Sequence, residues 1–420
     1  MLVPLSFIFV AYQMVIRIFF GVILPDVMEM FDLSLSYIGI AAGVYYFSFA
    51  FSSIVTSLLY MRYNFIIIML IGMGTILLGL LCFLFPCLGK FGVILGRFLI
   101  GVGSGMSLPL YLKVFSIFYD VNTTKTMVNY VFLNCMTTLS LSLYFVKPQY
   151  NVLYNYFTLF YVFIAIGVIL TIGFLKSYYD LNVKKCETLS KKLDENKAYN
   201  VTLRDIKNFV CDRKVIFLGL VCGLLAGTPD AFSDLWSLMF FENCCNIDFS
   251  EYIMIVFWRF YAVAGFILRY IFDYLNITII HFLIIISCVI LLVYSGFFIS
   301  TYFVDILFSN VTHYHILLVV LIIILAICCG YKPFLFGNVM RFLDRKFSIL
   351  GIVIINSFCM FCGQLFHICI GFALDNMSIS MKVNYIVALS IIPICVLISL
   401  ILFVYNQDIF CIKSEKESNK

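Results

Sequence analysis

Long runs of apolar residues, each about as long as a bilayer is thick, are the feature that most restricts how this chain can fold. A transmembrane helix needs roughly 20 consecutive, mostly apolar residues, and the 420-residue chain contains twelve such segments. Each is continuously apolar, which favours helices over the alternating strands of a membrane barrel. The predicted spans 1 to 12 cover residues 4–25, 37–60, 65–86, 91–112, 126–146, 154–175, 214–240, 250–272, 277–301, 315–338, 347–371 and 383–405.

The composition agrees with a chain that lies almost entirely within a membrane. Hydrophobic residues make up 64% of it, charged residues make up 12%, and the mean hydropathy is +1.09. The opening segment MLVPLSFIFV lacks a basic region and a small-residue cleavage site, so we expect a first span and not a removed signal peptide. The sequence therefore predicts an all-α integral membrane protein.

The distribution of basic residues predicts how the chain is oriented. If the N-terminus lies inside, the predicted outer loops contain only Lys90, Lys147 and Lys382. All other loop lysines and arginines lie inside, as the positive-inside rule requires, and the long central loop supplies half of them. We therefore expect both termini in the cytoplasm. This rule also accounts for the net charge of +5, so no nucleic acid partner is expected.

One polar segment divides the chain into two sets of six spans. This central loop contains Val201, Ile206 and Val210 at nearly helical spacing among charged residues, which indicates either a short amphipathic helix or a solvated linker. The predicted organisation is an N-terminal six-helix bundle (1–175), a cytoplasmic central loop (176–213), a C-terminal six-helix bundle (214–405) and a cytoplasmic tail (406–420).

Ionisable residues inside predicted spans are the candidates for function. Such a residue at mid-membrane costs at least about 2.5 kcal/mol and usually faces a cavity or a partner. Asp230 and Asp234 share one face of span 7, because they are four residues apart on a helix. The full set is Arg17, Arg97, Asp230, Asp234, Arg259, Lys332 and His367.

Corresponding segments of the two halves are similar, as in transporters built from repeats. Span 2 ends in SLLYMRYN (57–64) and span 8 in RYIFDYLN (269–276). Spans 4 and 10 combine glycine with proline, in GVGSGMSLP (101–109) and CCGYKPF (328–334). The segment GRFLIGVGSG (96–105) is similar to the Arg-x-x-x-Gly-x-Gly segment of the major facilitator superfamily. The chain resembles that superfamily over nearly its whole length, which implies two pseudo-symmetric six-helix bundles.

The resemblance implies roles in gating for several residues near the ends of spans. The superfamily's loop after span 2 has a Gly-x-Leu-x-Asp-Arg-x-Gly pattern, in which Arg62 is present here and Met61 replaces the aspartate. In the second half the aspartate is present as Asp273. Arg97 is expected either at the outer gate or extended toward the membrane interface. The gating and motif residues are Arg62, Arg97, Gly101, Gly103, Gly105 and Asp273.

Within the superfamily, three segments resemble the phagosomal nutrient transporters of intracellular bacteria, the Pht-like proteins. They are YQMVIRIFFGVILPDVMEMFDLS in span 1, GVYYFSFA in span 2 and FSDLWSLMF in span 7, the last being the most specific. Relatives of this group carry amino acids and other small nutrients inward. The resemblance therefore implies an amino acid as the transported molecule.

In the superfamily's fold, spans 1, 4, 7 and 10 surround a central cavity, which would bring several candidates together. An amino acid needs a cation for its carboxylate and an anion for its ammonium, and Arg17 with Asp234 or Asp230 meets this need. A structural ion pair between spans 1 and 7 is the alternative. Gly227 and Pro229 are expected to unwind span 7 before Asp230. The predicted substrate-binding residues are Tyr12, Gln13, Arg17, Tyr45, Tyr46, Asp230, Asp234, Trp236, Lys332 and Asn338.

The same charged residues could couple transport to protons. Desolvation and a nearby cation change the proton affinity of a carboxylate in opposite directions, so Asp230 and Asp234 could load and release a proton as the cavity opens. His367 is a third candidate, because imidazole titrates near neutrality. A buried, hydrogen-bonded histidine is the alternative at that position. For Lys332, the alternative to a second substrate anchor is burial against a carbonyl or an acid.

These patterns predict a secondary transporter working by alternating access, with no cofactor and no metal. The four histidines are dispersed and no nucleotide-binding motif is present, so neither an enzyme nor a primary pump is expected. A transporter of a nucleoside or organic anion, and a non-transporting receptor on the same fold, remain alternatives. We expect a monomer. The chain is rich in Ile, Phe, Tyr, Asn and Lys and poor in Ala, which is typical of AT-rich genomes and compatible with an intracellular bacterium. We therefore expect a bacterial inner membrane, with a parasite membrane as the alternative.

Overall fold

The computed structural model describes residues 2–60, 63–145, 156–183, 203–245, 250–308, 310–342 and 347–406, and all regular structure within them is helical. The helices are Leu2–Val22, Leu24–Phe31, Leu35–Leu59, Phe65–Leu84, Gly89–Gly105, Ser107–Phe118, Val121–Phe145, Tyr156–Val183, Leu203–Val210, Arg213–Ala231, Ser237–Cys245, Ser250–Leu275, Ile279–Tyr302, Val304–Leu307, Val311–Cys329, Tyr331–Phe342, Ser348–Asn376, Met381–Leu389 and Ile391–Tyr405, with a short 3₁₀ turn at Pro86–Leu88 and a π-helical turn at Phe232–Trp236.

Eleven helical stretches in the described part of the chain are long and apolar enough to cross a membrane. They correspond to every predicted span except span 5. That span coincides with the helix Val121–Phe145, which has the length to cross but is more polar, so its crossing stays a prediction. The helix Leu203–Val210 lies in the central loop, as the amphipathic pattern there predicts, and Val201 lies outside the described residues.

Three spans are interrupted three residues before a proline. Span 4 is interrupted at Met106, span 10 at Gly330 and span 12 at Ser390. Proline lacks the N–H that would bond the fourth residue before it, and its ring collides with that residue's carbonyl. Spans 4 and 10 occupy equivalent places in the two halves, so the glycine and proline segments common to both predict corresponding breaks.

The two halves pack by the same rules. In the first half span 1 contacts spans 5 and 6, span 2 contacts span 4, and span 3 contacts spans 4 and 6. In the second half span 7 contacts spans 11 and 12, span 8 contacts span 10, and span 9 contacts spans 10 and 12. Each of these contacts in the first half recurs in the second half, between the spans whose numbers are higher by six. The result is two pseudo-symmetric bundles, as the sequence predicts.

The bundles meet along two symmetry-related seams, one between spans 2 and 11 and one between spans 5 and 8. At one end of the first seam, the Asp375 carboxylate accepts hydrogen bonds from the backbone N–H groups of Leu35 (3.1 Å) and Ser36 (2.7 Å). At the other end, Leu58 packs against an apolar cluster that includes Leu350. Spans 2 and 11 are therefore in contact over their whole length.

Glycines allow spans 2 and 4 to approach closely. A methyl group at Gly101 would overlap the Ser48 hydroxyl and the Tyr45 carbonyl, and one at Gly105 would overlap Ser52 and the Phe49 carbonyl. Gly103 faces span 3, against the Gly72 carbonyl. The predicted motif glycines thus hold three helices of the first bundle together, and close helix packing in membranes depends on such small residues.

We predict that Gly101→Ala lowers the stability of the protein by about 1–3 kcal/mol, because the added methyl group has to displace backbone. Gly74→Ala is the matched control, since a methyl group there meets open space. The midpoint of thermal unfolding in detergent would fall for the first variant and stay constant or rise for the second. Equal midpoints would contradict the proposed packing role.

Candidate functional site

A cavity of about 70 Å³ lies between the two bundles. It is lined by residues of spans 1, 2, 4, 5, 7, 8, 10 and 11, and thus by both halves. The sequence predicts a site at spans 1, 4, 7 and 10, and the structure adds four further spans to it. The polar side chains that line it are Gln13, Arg17, Ser107, Asp230, Lys332 and Asn356.

An ion pair between Arg17 of span 1 and Asp234 of span 7 joins the bundles beside this cavity. Arg17 Nε donates to Asp234 Oδ2 at 2.6 Å, and both residues are buried, at 5% and 6% exposure. Tyr46 of span 2 donates its hydroxyl proton to the same carboxylate oxygen and accepts a hydrogen bond from Arg17 Nη2 at 2.8 Å. The three side chains form a closed triangle that holds the guanidinium in one orientation.

A second ion pair lies on the cavity wall. Lys332 of span 10 donates from Nζ to Asp230 Oδ2 at 2.6 Å, and Arg17 Nη2 lies 3.9 Å from the same oxygen. Two cations and two carboxylates thus form a chain across spans 1, 7 and 10, and their charges cancel. Buried charges are tolerated in a membrane interior when they are compensated in this way.

Span 7 places Asp230 in the cavity wall, and a π-helical turn that follows contains Asp234. The helix continues through Pro229 and Asp230 to Ala231, and the π turn Phe232–Trp236 follows it and contains Asp234. The prediction that span 7 unwinds before Asp230 is therefore wrong. The helix continues through Pro229 although this residue lacks an N–H and its ring crowds the preceding turn. The irregular turn comes after it, and π turns often lie at functional sites.

Gly21 explains how spans 1 and 7 come close enough for the ion pair. A Cβ atom at Gly21 would overlap the backbone carbonyl of Asp234. The absence of a side chain at this one position lets the two helices touch directly beside the buried charges. No motif in the sequence marks Gly21 as special.

His367 lies next to this cluster on span 11 but is already engaged in one hydrogen bond. Its Nδ1 accepts a hydrogen bond from Trp236 Nε1 at 3.1 Å, and its ring packs 4.8 Å from the Tyr46 ring. It is fully buried. A nitrogen that accepts from Trp236 carries no proton, so the ring is neutral in this state.

Arg97 of span 4 is buried without a carboxylate in contact among the described residues. Its guanidinium lies between the rings of Phe20 and Tyr45, at 4.3 and 4.4 Å from their centres, and Nη1 donates to the Arg17 carbonyl at 3.3 Å. Its exposure is 3%. It does not extend to the membrane interface, so the alternative of an interfacial arginine is wrong.

The other predicted site residues divide between the cavity and its surroundings. Gln13 lines the cavity and accepts from the Tyr45 hydroxyl at 3.5 Å. Tyr12 points away, toward the Phe163 carbonyl of span 6 at 2.7 Å. It therefore packs within the first bundle and does not line the cavity, and its place in the binding site stays a prediction. The Tyr45 ring packs against the Arg97 guanidinium, and Trp236 donates a hydrogen bond to His367. Neither Tyr45 nor Trp236 lines the cavity.

Several predicted residues lie apart from the cavity or outside the described side chains. Asp273 Oδ2 lies 4.0 Å from Arg269 Nε at the exposed end of span 8. Arg259 donates from Nε to the Ser140 hydroxyl of span 5 at 3.1 Å, so it pairs with a neighbouring helix. Arg62 lies outside the described residues, and Asn338 lies in the helix Tyr331–Phe342 with its side chain outside them.

Sequence reasoning missed most of the apolar wall and two polar residues, Ser107 and Asn356. Asn356 of span 11 is 4% exposed and lines the cavity, and its amide has no hydrogen-bond partner among the described residues. No charge or motif draws attention to it, and aromatic residues are too common in this chain to single out any of them. The aromatic side chains that line the cavity are Phe49, Tyr111, Phe132, Trp258, Tyr261 and Phe336.

Within the described residues, no group of three or more histidine, cysteine or acidic side chains is placed to hold a metal ion. Cys359 and Cys362, which match a C-x-x-C pattern, are buried free thiols in span 11. Cys359 donates to the Cys222 carbonyl of span 7 at 3.5 Å. Both cysteines therefore contribute to helix packing.

No protein-family model matches the chain. No curated protein sequence matches it either. The structure, in contrast, is similar to solved transporters. It superposes on the nucleoside transporter NupG with a TM-score of 0.67 at 10% identity, covering 96% of this chain and 99% of that one.

Two further structures are similar over nearly the whole chain. One is a bacterial homologue of the human lysosomal transporter Spinster, inward-facing and occupied, with a TM-score of 0.69 at 10% identity and 97% of both chains covered. The other is the major facilitator superfamily transporter FucP in the outward conformation, with a TM-score of 0.64 at 12% identity, 96% of this chain and 97% of that one covered. The chain therefore has the major facilitator fold, which confirms the predicted fold class.

We predict that Lys332→Met destabilises the protein by about 3–5 kcal/mol, because it leaves the Asp230 carboxylate buried without its nearest cation. The double variant Asp230→Asn with Lys332→Met should recover most of this loss, since no uncompensated charge then remains. Equilibrium unfolding in mixed micelles measures the free energy of unfolding of the single and the double variant.

Lys90→Met is the control for this prediction. Its ion pair with Asp32 is exposed and 4.0 Å long, and exposed pairs contribute about 0–1 kcal/mol. A Lys332→Met protein as stable as the control would contradict the assignment of a coupled buried pair.

Proposed function

We propose that this chain is a secondary transporter that moves a small polar nutrient across a membrane by alternating access. The observation that carries the proposal is the cavity between two pseudo-symmetric bundles, whose wall contains buried charges of spans 1, 7 and 10. Rocking of one bundle against the other about such a site opens it to one side at a time. The two seams between the bundles are the surfaces that would part.

The similar structures support this mechanism at the level of the fold. One of them is inward-facing and another is outward-facing, so the fold is compatible with both states. One of the three is a nucleoside transporter. The fold therefore supports transport but does not select the solute, because function depends on the site that a fold carries.

The amino acid predicted from the sequence would have to compete with existing contacts. Its carboxylate would bind Arg17 or Lys332, and its ammonium group would bind Asp230. In the present state Arg17 is paired with Asp234 and Lys332 with Asp230, each at 2.6 Å. Arg17 also lies 3.9 Å from Asp230. Binding of an amino acid would therefore exchange one ion pair for another, and this solute class stays a prediction.

Proton coupling fits best at Asp234. Its Oδ2 accepts from both Arg17 and Tyr46, whereas its Oδ1 is buried without a hydrogen-bond partner in the described part of the chain. A proton on this carboxylate would weaken the contact with Arg17 and loosen the junction of spans 1 and 7. Asp230 is the second candidate. His367 could take part only after its bond with Trp236 breaks, because Nδ1 is occupied.

Membership of the Pht-like group, the bacterial inner membrane, cytoplasmic termini and a monomeric state stay predictions from the sequence. The same holds for gating by Arg62 and Asp273. For Arg97, the described geometry supports a role inside the first bundle, where it holds the Arg17 backbone carbonyl and the Tyr45 ring next to the ion pair.

We predict that Asp234→Asn abolishes accumulation driven by a pH gradient while leaving exchange across the membrane, because exchange needs no net proton movement. Proteoliposomes with an acidic exterior and radiolabelled phenylalanine or uridine allow both to be measured. Exchange at the wild-type rate is the control for folding. Accumulation equal to that of the wild type would exclude Asp234 as the coupling group.

A further inference from the structure

The charges of Arg17, Lys332, Asp230 and Asp234 compensate one another before any solute enters, and Arg97, which is buried nearby, does not line the cavity. Arg17 pairs with Asp234, Lys332 pairs with Asp230, and both cations together balance both carboxylates. A solute with a net charge would leave one charge uncompensated in a buried site, which is unfavourable. A zwitterion would have to separate a buried ion pair at 2.6 Å. An uncharged solute requires neither change.

Two amide side chains on opposite bundles of the cavity have hydrogen-bonding groups to spare. Asn356 has no partner among the described residues and is 4% exposed. Gln13 is 2% exposed. Among the residues that the structure describes, its one side-chain contact of this kind is the hydrogen bond that Oε1 accepts from the Tyr45 hydroxyl at 3.5 Å. An amide offers a donor and an acceptor in one plane, which is complementary to the adjacent donor and acceptor on the edge of a heterocyclic base.

The remaining wall is largely aromatic. Trp258 and Tyr261 of span 8 lie with their rings 6.0 Å apart and nearly parallel, at 22°. Phe132 and Phe336 approach from spans 5 and 10, with their ring centres 6.3 Å apart. Flat faces of this kind are what planar bases stack on in proteins that bind them unpaired.

We infer that the solute is an uncharged molecule with a planar heterocyclic ring, of the nucleoside or nucleobase class, held by the Gln13 and Asn356 amides between aromatic walls. This inference rests on the proposed transport function and makes the solute class specific. The ion pairs of Arg17 and Lys332 then serve to hold the two bundles around the solute, and they do not have to be broken to bind it.

The test combines binding and transport by the purified full-length protein. Uridine, uracil, adenosine, phenylalanine and uridine monophosphate are compared by thermal shift, since a bound ligand raises the unfolding midpoint. We expect shifts with uridine or adenosine and none with phenylalanine or the charged nucleotide. The comparison of uracil with uridine decides between base and nucleoside. A shift with phenylalanine alone would overturn the inference and leave a transporter of amino acids.

Variants test the two parts of the site separately. Asn356→Ala and Trp258→Leu should weaken uridine binding about tenfold or more, because they remove an amide contact and a stacking face. Trp258→Phe retains the ring and should retain most of the affinity. Asn243→Ala removes an amide outside the cavity and is the control. Equal uridine affinity in Asn356→Ala, Trp258→Leu and the control would overturn the inference.

Transport separates this inference from the function it rests on. Uridine that enters proteoliposomes and exchanges with internal uridine supports both. A protein that binds uridine and is sensitive to Trp258→Leu, but does not move uridine across the vesicle membrane, would overturn the proposed transport function while leaving the solute class in place.

Discussion

The ion pair between Arg17 and Asp234 is the interaction on which the centre of this protein depends. A guanidinium and a carboxylate buried in a membrane protein must satisfy one another, because neither lipid nor apolar side chains can replace water around them. The pair therefore fixes which faces of spans 1 and 7 meet, and Gly21 provides the room for it. Tyr46 binds both partners and ties a third span to the same point.

The surrounding helices are arranged to deliver side chains to that point. Spans 4 and 10 are interrupted ahead of Pro109 and Pro333, and both contribute to the cavity wall through Ser107 and Lys332. Span 7 takes a π turn at the position of Asp234. In each case a local departure from the α-helix lies where the two bundles face each other, which fits a site that has to change its contacts between two states.

Sequence reasoning identified the charged side chains at the cavity and the neutral Gln13, and it missed the other neutral residues of the cavity wall. Arg17, Asp230, Asp234 and Lys332 are conspicuous because ionisable residues are rare in apolar spans and costly there. Asn356 and Trp258 carry no such signal, since amides and aromatic rings are tolerated in many environments within a helix bundle. Tyr12 was expected to supply a hydrogen bond in the site, but its hydroxyl donates to the Phe163 carbonyl of span 6.

The sequence by itself determined that the chain is helical, spans a membrane and has two similar halves, because these properties depend on segment length, apolar content and the period of the pattern. Only the tertiary structure decided which charges pair most closely, since Asp230 and Asp234 share one helix face and either could have been the nearer partner of Arg17. The pairing of Lys332 with Asp230 followed from how spans 7 and 10 pack. Pairing across helices depends on distances of a few ångströms that no pattern along one helix contains.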